Sequence, residues 1–181
     1  METKELKILE KSIKYKFKDD NLLTLAMTHR SHSGKNNERL EFLGDSILNF
    51  VVADLLFKKF NDLDEGDLSR LRSQLVKEEP LSKLGNGLKI GDFLNLGIGE
   101  LKSSGWRRPS ILADAFEALI GAIFIDGGMK SAYKFIEDSY AGLIEKINPK
   151  EIYKDPKTCL LYTSDAADDS LRVDLGGRRI I

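Results

Sequence analysis

The sequence is poor in cysteine, in proline and in net charge. Its 181 residues include one cysteine and four prolines, and 28 basic residues nearly balance 29 acidic ones, for a formal charge of −1. A single cysteine excludes a disulfide framework and a zinc site built on several thiolates. A nearly neutral chain has no overall attraction for nucleic acid, so such a partner would have to bind a local basic patch.

Long apolar runs are also missing. Asp, Gly or Asn interrupts each apolar stretch before it reaches the length of a membrane span, and the N-terminus METKELKILEK lacks the apolar core of a signal peptide. We therefore expect a cytoplasmic protein with no membrane partner. The apolar content of 41% is enough for the core of one domain of ordinary size.

The spacing of apolar residues predicts an all-α fold. Asp19 or Asp20 can cap an early helix, and Asn36 and Asn37 precede a long one. Ser110 is the predicted N-cap of a further apolar helix, which Gly127-Gly128 should end. The main predicted helices cover residues 38–60, 64–79, 111–125 and 130–147, and convincing period-2 strands are absent from the sequence.

The end of the chain differs in character from the rest. From Cys159 it reads CLLYTSDAADDSLRVDLGGRRII, without helical or strand periodicity. This run resembles the translation of a sequencing adapter, so we expect residues 159–181 to be a non-native tail that is disordered; a natural disordered tail is the alternative. Asn148-Pro149 precedes residues 151–158 and Asp155-Pro156 lies within them, and we interpret this stretch as a linker.

Two strongly apolar segments carry isolated carboxylates. Glu38, Glu41 and Asp45 share one face of the first predicted long helix, and Asp114 and Glu117 lie three residues apart in the second. An ionised carboxylate in an apolar setting costs several kcal/mol unless positive charge compensates it. A hard divalent cation such as Mg²⁺ or Mn²⁺ prefers oxygen ligands and would relieve the repulsion.

The sequence pattern leaves an ordinary structural alternative open for these acids. They could form ion pairs with arginines, or face solvent along a narrow stripe of each helix. The arginines available for such pairs are Arg39, Arg70 and Arg72.

The same two segments carry recognisable motifs. NERLEFLGDSIL (residues 37–48) resembles the signature of the ribonuclease III family, and DAFEALIGAIFIDGG (residues 114–128) resembles its second block. Between them, EGDLSRLRSQLV and GELKSSGWRRPSILAD also resemble bacterial ribonuclease III. The resemblance extends over residues 1–150 and implies the helical endonuclease domain of that family.

The resemblance also implies an activity and partners. Such a domain forms a homodimer and, with Mg²⁺ (or Mn²⁺ as a substitute), cleaves double-stranded RNA. The products carry 5′-phosphate and 3′-hydroxyl ends with short 3′ overhangs, and the role is in rRNA and mRNA processing. These are expectations for this chain.

The resemblance implies roles for individual acidic residues. Glu41, Asp45, Asp114 and Glu117 correspond to metal-binding catalytic carboxylates. Of these, Glu41, Asp114 and Glu117 suit direct ligation, while Asp45 would hold a water on the metal or accept its proton. Asp45 and Glu117 are accordingly the expected catalytic pair. Glu38 and Glu65 match supporting acidic positions along the cleavage valley.

Other residues are expected to serve the dimer and the RNA. Phe42 matches a residue that inserts into the partner subunit, with core packing as the alternative. Basic residues in the two middle segments should contact the RNA backbone without reading bases; they are Arg70, Arg72, Lys77, Lys102, Arg107 and Arg108. For His29 and His32 we expect a loop or capping role, because hydrolysis with a hard metal does not need them.

The C-terminal region departs from the family pattern. Members commonly carry a double-stranded-RNA-binding domain after a short linker, whereas here the adapter-like run interrupts KDPKT (residues 154–158). Residues 1–158 carry 25 basic and 25 acidic residues. We therefore expect this chain to bind RNA weakly at physiological salt.

Two alternatives from other functional classes remain. One is a non-catalytic RNA-binding or assembly module with the same fold. The other is a helical di-iron carboxylate protein, which needs Glu-x-x-His pairs. Neither His29 nor His32 follows a glutamate by three residues, which disfavours the second.

Overall fold

The computed structural model describes residues 3–148, which form a set of helices joined by short connections. The α-helices are α1 (Thr3–Ile13), α2 (Asp20–Ala26), α3 (Glu38–Lys59), α4 (Glu65–Leu75), α5 (Glu78–Gly87), α6 (Ile98–Lys102) and α7 (Pro109–Glu145). Two 3₁₀ turns, Ile90–Phe93 and Gly105–Arg107, flank α6. The predictions for residues 151–158 and 159–181 lie outside the described residues.

The predicted all-α fold is confirmed. In residues 3–148 the only extended pairing is an isolated parallel bridge between Thr28 and Asn95, and no strand forms. Within the same range, no helix combines the length and the hydropathy that crossing a membrane requires.

Helices α3 and α7 form the centre of the fold and pack against each other more extensively than any other described pair. Their fully buried side chains include Leu48, Val51, Leu56, Phe116 and Ile120. Helices that are apolar around most of their circumference belong in a core. The core therefore follows from the two segments whose carboxylates the sequence singles out.

A pair of glycines allows the two central helices to approach closely. A Cβ at Gly44 of α3 would overlap the carbonyl oxygen of Glu117, and a Cβ at Gly121 of α7 would overlap the carbonyl oxygen of Leu40. Only glycine lets the backbones come this close without a shift of one helix. The crossing point therefore lies within one turn of both carboxylate groups.

Helix α7 differs from its prediction at its start and agrees with it at the end of its first half. Ser110 is not the N-cap: Arg108 precedes the helix and Pro109 occupies its first turn, where the fixed φ of proline favours the helix start. As predicted, the first half ends at the Gly127-Gly128 pair: Gly128 has φ 76° and ψ 179°, a conformation that favours glycine, and a second helical half follows it to Glu145.

The carboxylate of Asp126, close to the break at Gly128, binds the segment of residues 15–19. Asp126 accepts hydrogen bonds from the backbone N–H groups of Lys18 and Asp19, and from the Tyr15 hydroxyl at 2.6 Å. Asp19 in turn caps α2, as one of the two predicted candidates, by accepting from the backbone N–H of Asn21. The Asp126 carboxylate thus joins the start of α2 to the middle of α7.

The loop between α2 and α3 is joined to the segment that precedes α6. Asn95 donates its backbone N–H to Met27 and accepts from the backbone N–H of His29. Further along, the Gly97 N–H donates to Ser31 Oγ at 3.0 Å, and a Cβ at Gly97 would overlap the Ser31 carbonyl. Residues 27–31 and 95–97 therefore run side by side and hold each other in place.

Candidate active site

The crossing of α3 and α7 brings the four predicted metal-binding carboxylates into one electrostatic group. Asp45, Glu41 and Asp114 each raise the pKa of Glu117, in addition to the effect of its burial. Glu41 and Asp45 lie on either side of Gly44, whose backbone contacts that of Glu117. The two carboxylates of α3 and the two of α7 are therefore close enough to interact electrostatically.

Part of this group lines an open cavity of about 430 Å³. Glu38 and Glu41 enter it from α3, and Asp114 enters it from α7. We call this space the carboxylate cavity; its lining also includes His29, Arg30, Glu100 and Arg108. The cavity therefore combines acidic groups with two guanidinium groups.

Burial and mutual repulsion disfavour the charged form of the inner carboxylates. Burial, followed by the charges of Asp45, Glu41 and Asp114, raises the pKa of Glu117 from 4.5 to about 8. The pKa of Glu41 is also raised, first by burial and then by Asp114 and Glu38. These acids lack enough positive charge nearby, which is the electrostatic situation that a bound cation corrects.

Arg30 and His29 only partly offset this repulsion. Burial raises the pKa of Asp114, and the neighbouring His29 and Arg30 oppose that rise. Arg30 also opposes the rise at Glu41, and its Nη1 lies 3.5 Å from Glu38 Oε1. Since the Arg30 side chain is 71% exposed, this ion pair is weak and leaves the guanidinium accessible.

Asp45 occupies a more open position than the other three. It is exposed, and its Oδ1 accepts a hydrogen bond from Asn49 Nδ2 at 2.8 Å. This bond holds the carboxylate through one oxygen and leaves Oδ2 for another partner. An exposed carboxylate beside half-buried ones is better suited to proton transfer to solvent than to direct metal ligation.

The donor chemistry of the site fits a hard divalent cation. In the described part of the chain, no three His, Cys, Asp or Glu side chains already stand close enough to form a ready-made ligand set. The four carboxylates nevertheless offer oxygen ligands of the kind that Mg²⁺ prefers while it keeps several waters. Glu41, Asp114 and Glu117 would hold such an ion, with Asp45 at the exposed side.

Glu65 is not brought to this cavity within one chain. It is exposed at the start of α4, accepts from Ser69 Oγ at 2.8 Å, and lines a second, mostly apolar depression. We call this depression the phenylalanine groove; its lining includes Phe50, Phe57, Leu63, Leu68 and Arg72. Glu38, by contrast, lies in the carboxylate cavity with Glu41 and Asp114.

Large apolar side chains of α3 face outward. Phe42 is 78% exposed, Phe57 is 68% exposed and Phe50 is 58% exposed. Core packing, the alternative considered for Phe42, is therefore wrong for the single chain. An apolar surface of this kind on a helix otherwise buried in the core is typical of a protein interface.

The predicted RNA-contacting residues fall into separate environments. Arg70 is bound to the buried carboxylate of Asp67 at 2.8 Å, and Arg72 lines the phenylalanine groove. Lys77 and Lys102 are exposed, and the Arg107 guanidinium lies 4.1 Å from the centre of the Trp106 ring. Only Arg108 lines the carboxylate cavity, where its guanidinium lies 3.2 Å from Glu100 Oε2.

Sequence reasoning missed Arg30 and gave His29 no part in the site. Both lie in the loop before α3 and reach the carboxylate cavity through the contacts of residues 27–31 with residues 95–97. These contacts join parts of the chain that are far apart in sequence and leave no periodic pattern. The one available signal is the position of both residues shortly before the motif NERLEFLGDSIL.

Comparison with known proteins identifies the family. A family model described as "Ribonuclease-III-like" matches residues 19–143. The chain belongs to the ribonuclease-III-like family. Ribonuclease 3 of Bordetella petrii is 55% identical to it over 155 residues, which are 86% of this chain and 62% of that relative. The chain thus spans less than two thirds of that ribonuclease 3.

Solved structures of the ribonuclease III nuclease domain share the fold. The crystal structure of that domain from Campylobacter jejuni is 44% identical, covers 82% of this chain and 100% of its own, and gives a TM-score of 0.76. A second structure of the C. jejuni domain, 46% identical with a TM-score of 0.72, covers 75% of this chain and 99% of its own. It is described as flexible in a region involved in dimer formation.

Proposed function

We propose that this chain is a Mg²⁺-dependent endoribonuclease that hydrolyses phosphodiester bonds of double-stranded RNA. The observation that carries the proposal is the group of four carboxylates around the crossing of α3 and α7, beside a cavity that also contains Arg30 and Arg108. Membership of the ribonuclease-III-like family supports the same reaction. We assign this role to the domain formed by residues 1–150.

The residues around the cavity divide the work of hydrolysis. A divalent cation bound by Glu41, Asp114 and Glu117 would supply positive charge at the phosphate and make an attacking water more acidic. Asp45 Oδ2 is free of its Asn49 contact and can accept the proton of that water. Attack at phosphorus with departure of the 3′-oxygen leaves a 5′-phosphate and a 3′-hydroxyl end.

The arginines of the cavity can bind the negatively charged substrate. Arg30 is largely exposed, and Arg108 is half exposed in its ion pair with Glu100. Guanidinium groups bind phosphate oxygens through paired N–H donors. Backbone contacts of this kind select the A-form shape of the duplex and not its base sequence. Lys102 and Arg107 would extend this surface along the duplex; Arg70 and Arg72 would contribute less, since neither lies at the cavity.

The active form in this proposal is a homodimer built on α3. Phe42 provides an exposed aromatic side chain, and the phenylalanine groove provides an apolar recess between the same helix and α4. A symmetric pair of chains would bury both features twice, as closed two-fold interfaces do. Glu65 lines that groove and would come to the border of the dimer interface.

The cellular role that we propose is the processing of rRNA and mRNA precursors in the cytoplasm. Its substrate class is long or hairpin duplex RNA, with no membrane partner. Mn²⁺ should replace Mg²⁺, since both are hard cations that bind carboxylates and water.

A cleavage assay tests the proposal directly. The full chain should cleave a long RNA duplex at low salt with Mg²⁺, leave the separated single strands intact, and stop in EDTA. Glu117→Gln should abolish cleavage, whereas Glu145→Gln, an exposed position on the same helix, should leave it unchanged. The 5′ ends of the products should accept a kinase label only after phosphatase treatment.

The same assay separates the enzyme from a non-catalytic RNA-binding module. Binding of duplex RNA by the unsubstituted chain without any Mg²⁺-dependent cleavage would favour the module and reject the enzyme. Cleavage that Glu117→Gln removes while RNA binding is retained would favour the enzyme.

A further inference from the structure

One histidine is buried in the wall of the carboxylate cavity without an assigned task. His29 is only 9% exposed, and its side chain lines the cavity together with Glu41 and Asp114. The other histidine, His32, lines a different surface depression. Because buried polar groups are normally hydrogen-bonded, each of the two ring nitrogens of His29 should have a hydrogen-bond partner or access to solvent.

The contacts of Ser31 determine the proton position on the His29 ring. The Ser31 backbone N–H donates to His29 Nδ1 at 3.2 Å, so Nδ1 is an acceptor. Ser31 Oγ lies 2.8 Å from the same nitrogen and already accepts from the Gly97 N–H at 3.0 Å. Its hydroxyl proton is therefore available for Nδ1, and the ring proton is left on Nε2.

The second ring nitrogen has no acceptor in the described part of the chain. Every hydrogen bond found for the His29 side chain there involves Nδ1. Among those residues, no fully buried side-chain nitrogen or oxygen lacks a partner, so Nε2 retains some contact with solvent, and His29 lines the open cavity. The ring thus presents one N–H donor to the space between the carboxylates and the arginines.

The geometry points to His29 as a substrate-contacting residue whose Nε2–H donates to a backbone phosphate oxygen of the RNA at the cleavage site. This inference rests on the proposed function, since it assumes that the duplex enters the carboxylate cavity. Arg30, the next residue, supplies positive charge on the same side of the cavity. Such a donor would orient the phosphate and would not bind the cation, because a protonated nitrogen cannot be a metal ligand.

Single-turnover cleavage with saturating enzyme and Mg²⁺ tests the inference. His29→Leu removes the donor at similar size, His29→Gln restores an N–H near the Nε2 position, and His32→Leu is the matched control. We expect the rate constant to fall about 10- to 100-fold for His29→Leu, to recover in part for His29→Gln and to be unchanged for His32→Leu. The melting temperatures of all four proteins are measured alongside.

Several results would overturn the inference. One is a cleavage rate constant of His29→Leu within twofold of that of the original chain. Another is a loss of rate in His29→Leu that higher Mg²⁺ restores. A third is an equal loss of rate in His29→Gln together with an equal fall in melting temperature. If the unsubstituted chain does not cleave duplex RNA, the proposed function fails. The contact between His29 and RNA is then tested separately, by equilibrium binding of the duplex at low salt. His29→Leu should weaken that binding at least threefold, and equal binding would contradict the contact.

A spectroscopic measurement tests the proton position without a substitution at His29. The chain contains only two histidines, so long-range ¹H–¹⁵N spectra show two imidazole patterns, which His32→Leu assigns. His29 should give the Nε2–H pattern, and its Nε2 signal should shift when duplex RNA is added to the Glu117→Gln chain. An Nδ1–H pattern, or no shift under saturating RNA, would overturn the inference.

Discussion

Gly44 of α3 and Glu117 of α7 are in backbone contact: the glycine leaves the room that the Glu117 carbonyl oxygen occupies, and a Cβ at position 44 would overlap it. The contact lies beside Glu41 and Asp45 on one helix and at a proposed metal ligand on the other. Packing of the core and geometry of the site therefore depend on the same few atoms.

Gly44→Ala should consequently impair both folding and cleavage. The added methyl forces α3 and α7 apart, and we expect it to lower the free energy of unfolding by about 2–3 kcal/mol even after the gain in helix propensity. Gly142→Ala is the control, since a Cβ there meets nothing within 4 Å and should stabilise the helix. Urea unfolding measures both; equal stability of Gly44→Ala and the original chain would contradict the close approach.

Because the pKa of Glu117 is raised, ionisation of this residue should destabilise the folded chain in a pH-dependent way. Between about pH 4.5 and 8 the folded chain retains a proton that the unfolded chain has released, so stability falls as the pH rises through this window. In EDTA at pH 8, Glu117→Gln should raise Tm by about 2–6 °C, and the difference should shrink towards pH 4.5. Thermal unfolding at several pH values checks this.

Added Mg²⁺ provides the complementary measurement for the same residue. It should raise the Tm of the original chain at pH 8 and have a much smaller effect on Glu117→Gln, because binding to the folded state alone stabilises it. A Tm that is independent of pH in EDTA, or an equal Mg²⁺ effect in both proteins, would speak against the proposed role of Glu117.

The exposure of Phe42 predicts that its removal weakens self-association. A large aromatic anchor at the centre of an interface contributes 2 kcal/mol or more, so Phe42→Ser should raise the dissociation constant of the dimer roughly 30-fold or more. Ile98→Ser, which removes a side chain 73% exposed on α6, is the control. Sedimentation velocity over a range of concentrations measures the effect, and unchanged dimerisation of Phe42→Ser would exclude this interface.

The carboxylate of Asp126 should stabilise the domain at neutral pH. Although its desolvation acts in the opposite direction, hydrogen bonds from Tyr15, Lys18 and Asp19 lower its pKa, so its stabilising effect is lost as the pH falls through that lowered value. Asp126→Asn should cost about 1–2 kcal/mol at pH 7 and much less in acid. Urea unfolding at both pH values tests this, with Asp138→Asn as a control on the same helix. An equal cost at both would refute the argument.

The fold, and the position of the four carboxylates on its two central helices, could be predicted because their signals are local. Apolar residues at helical spacing define α3 and α7, and charged residues within such segments stand out along the sequence. Asp19 as a cap is likewise a local signal. Ser110 failed as a cap because Pro109, one position earlier, starts the helix better than a side-chain hydrogen bond does.

The rest depends on contacts between distant parts of the chain. No periodicity indicates that Asp67 binds Arg70 in a buried position, although the spacing permits it, or that Glu65 faces the phenylalanine groove. The place of His29 depends on the bridge between Thr28 and Asn95, which are 67 residues apart. Motif reading finds the acids that would do the chemistry, and only tertiary structure shows which neutral groups accompany them.

The side-by-side course of residues 27–31 and 95–97 also affects how this surface can vary. Residues 98–108 leave from that fixed point and return to the chain at Pro109, where α7 begins. An insertion or deletion between these two anchors would move Lys102, Arg107 and the Arg108–Glu100 ion pair of the carboxylate cavity, whereas His29, Arg30 and the four carboxylates lie outside this segment. We expect the length of this segment to affect the binding of a duplex at the cavity more than it affects the positions of the carboxylates on α3 and α7.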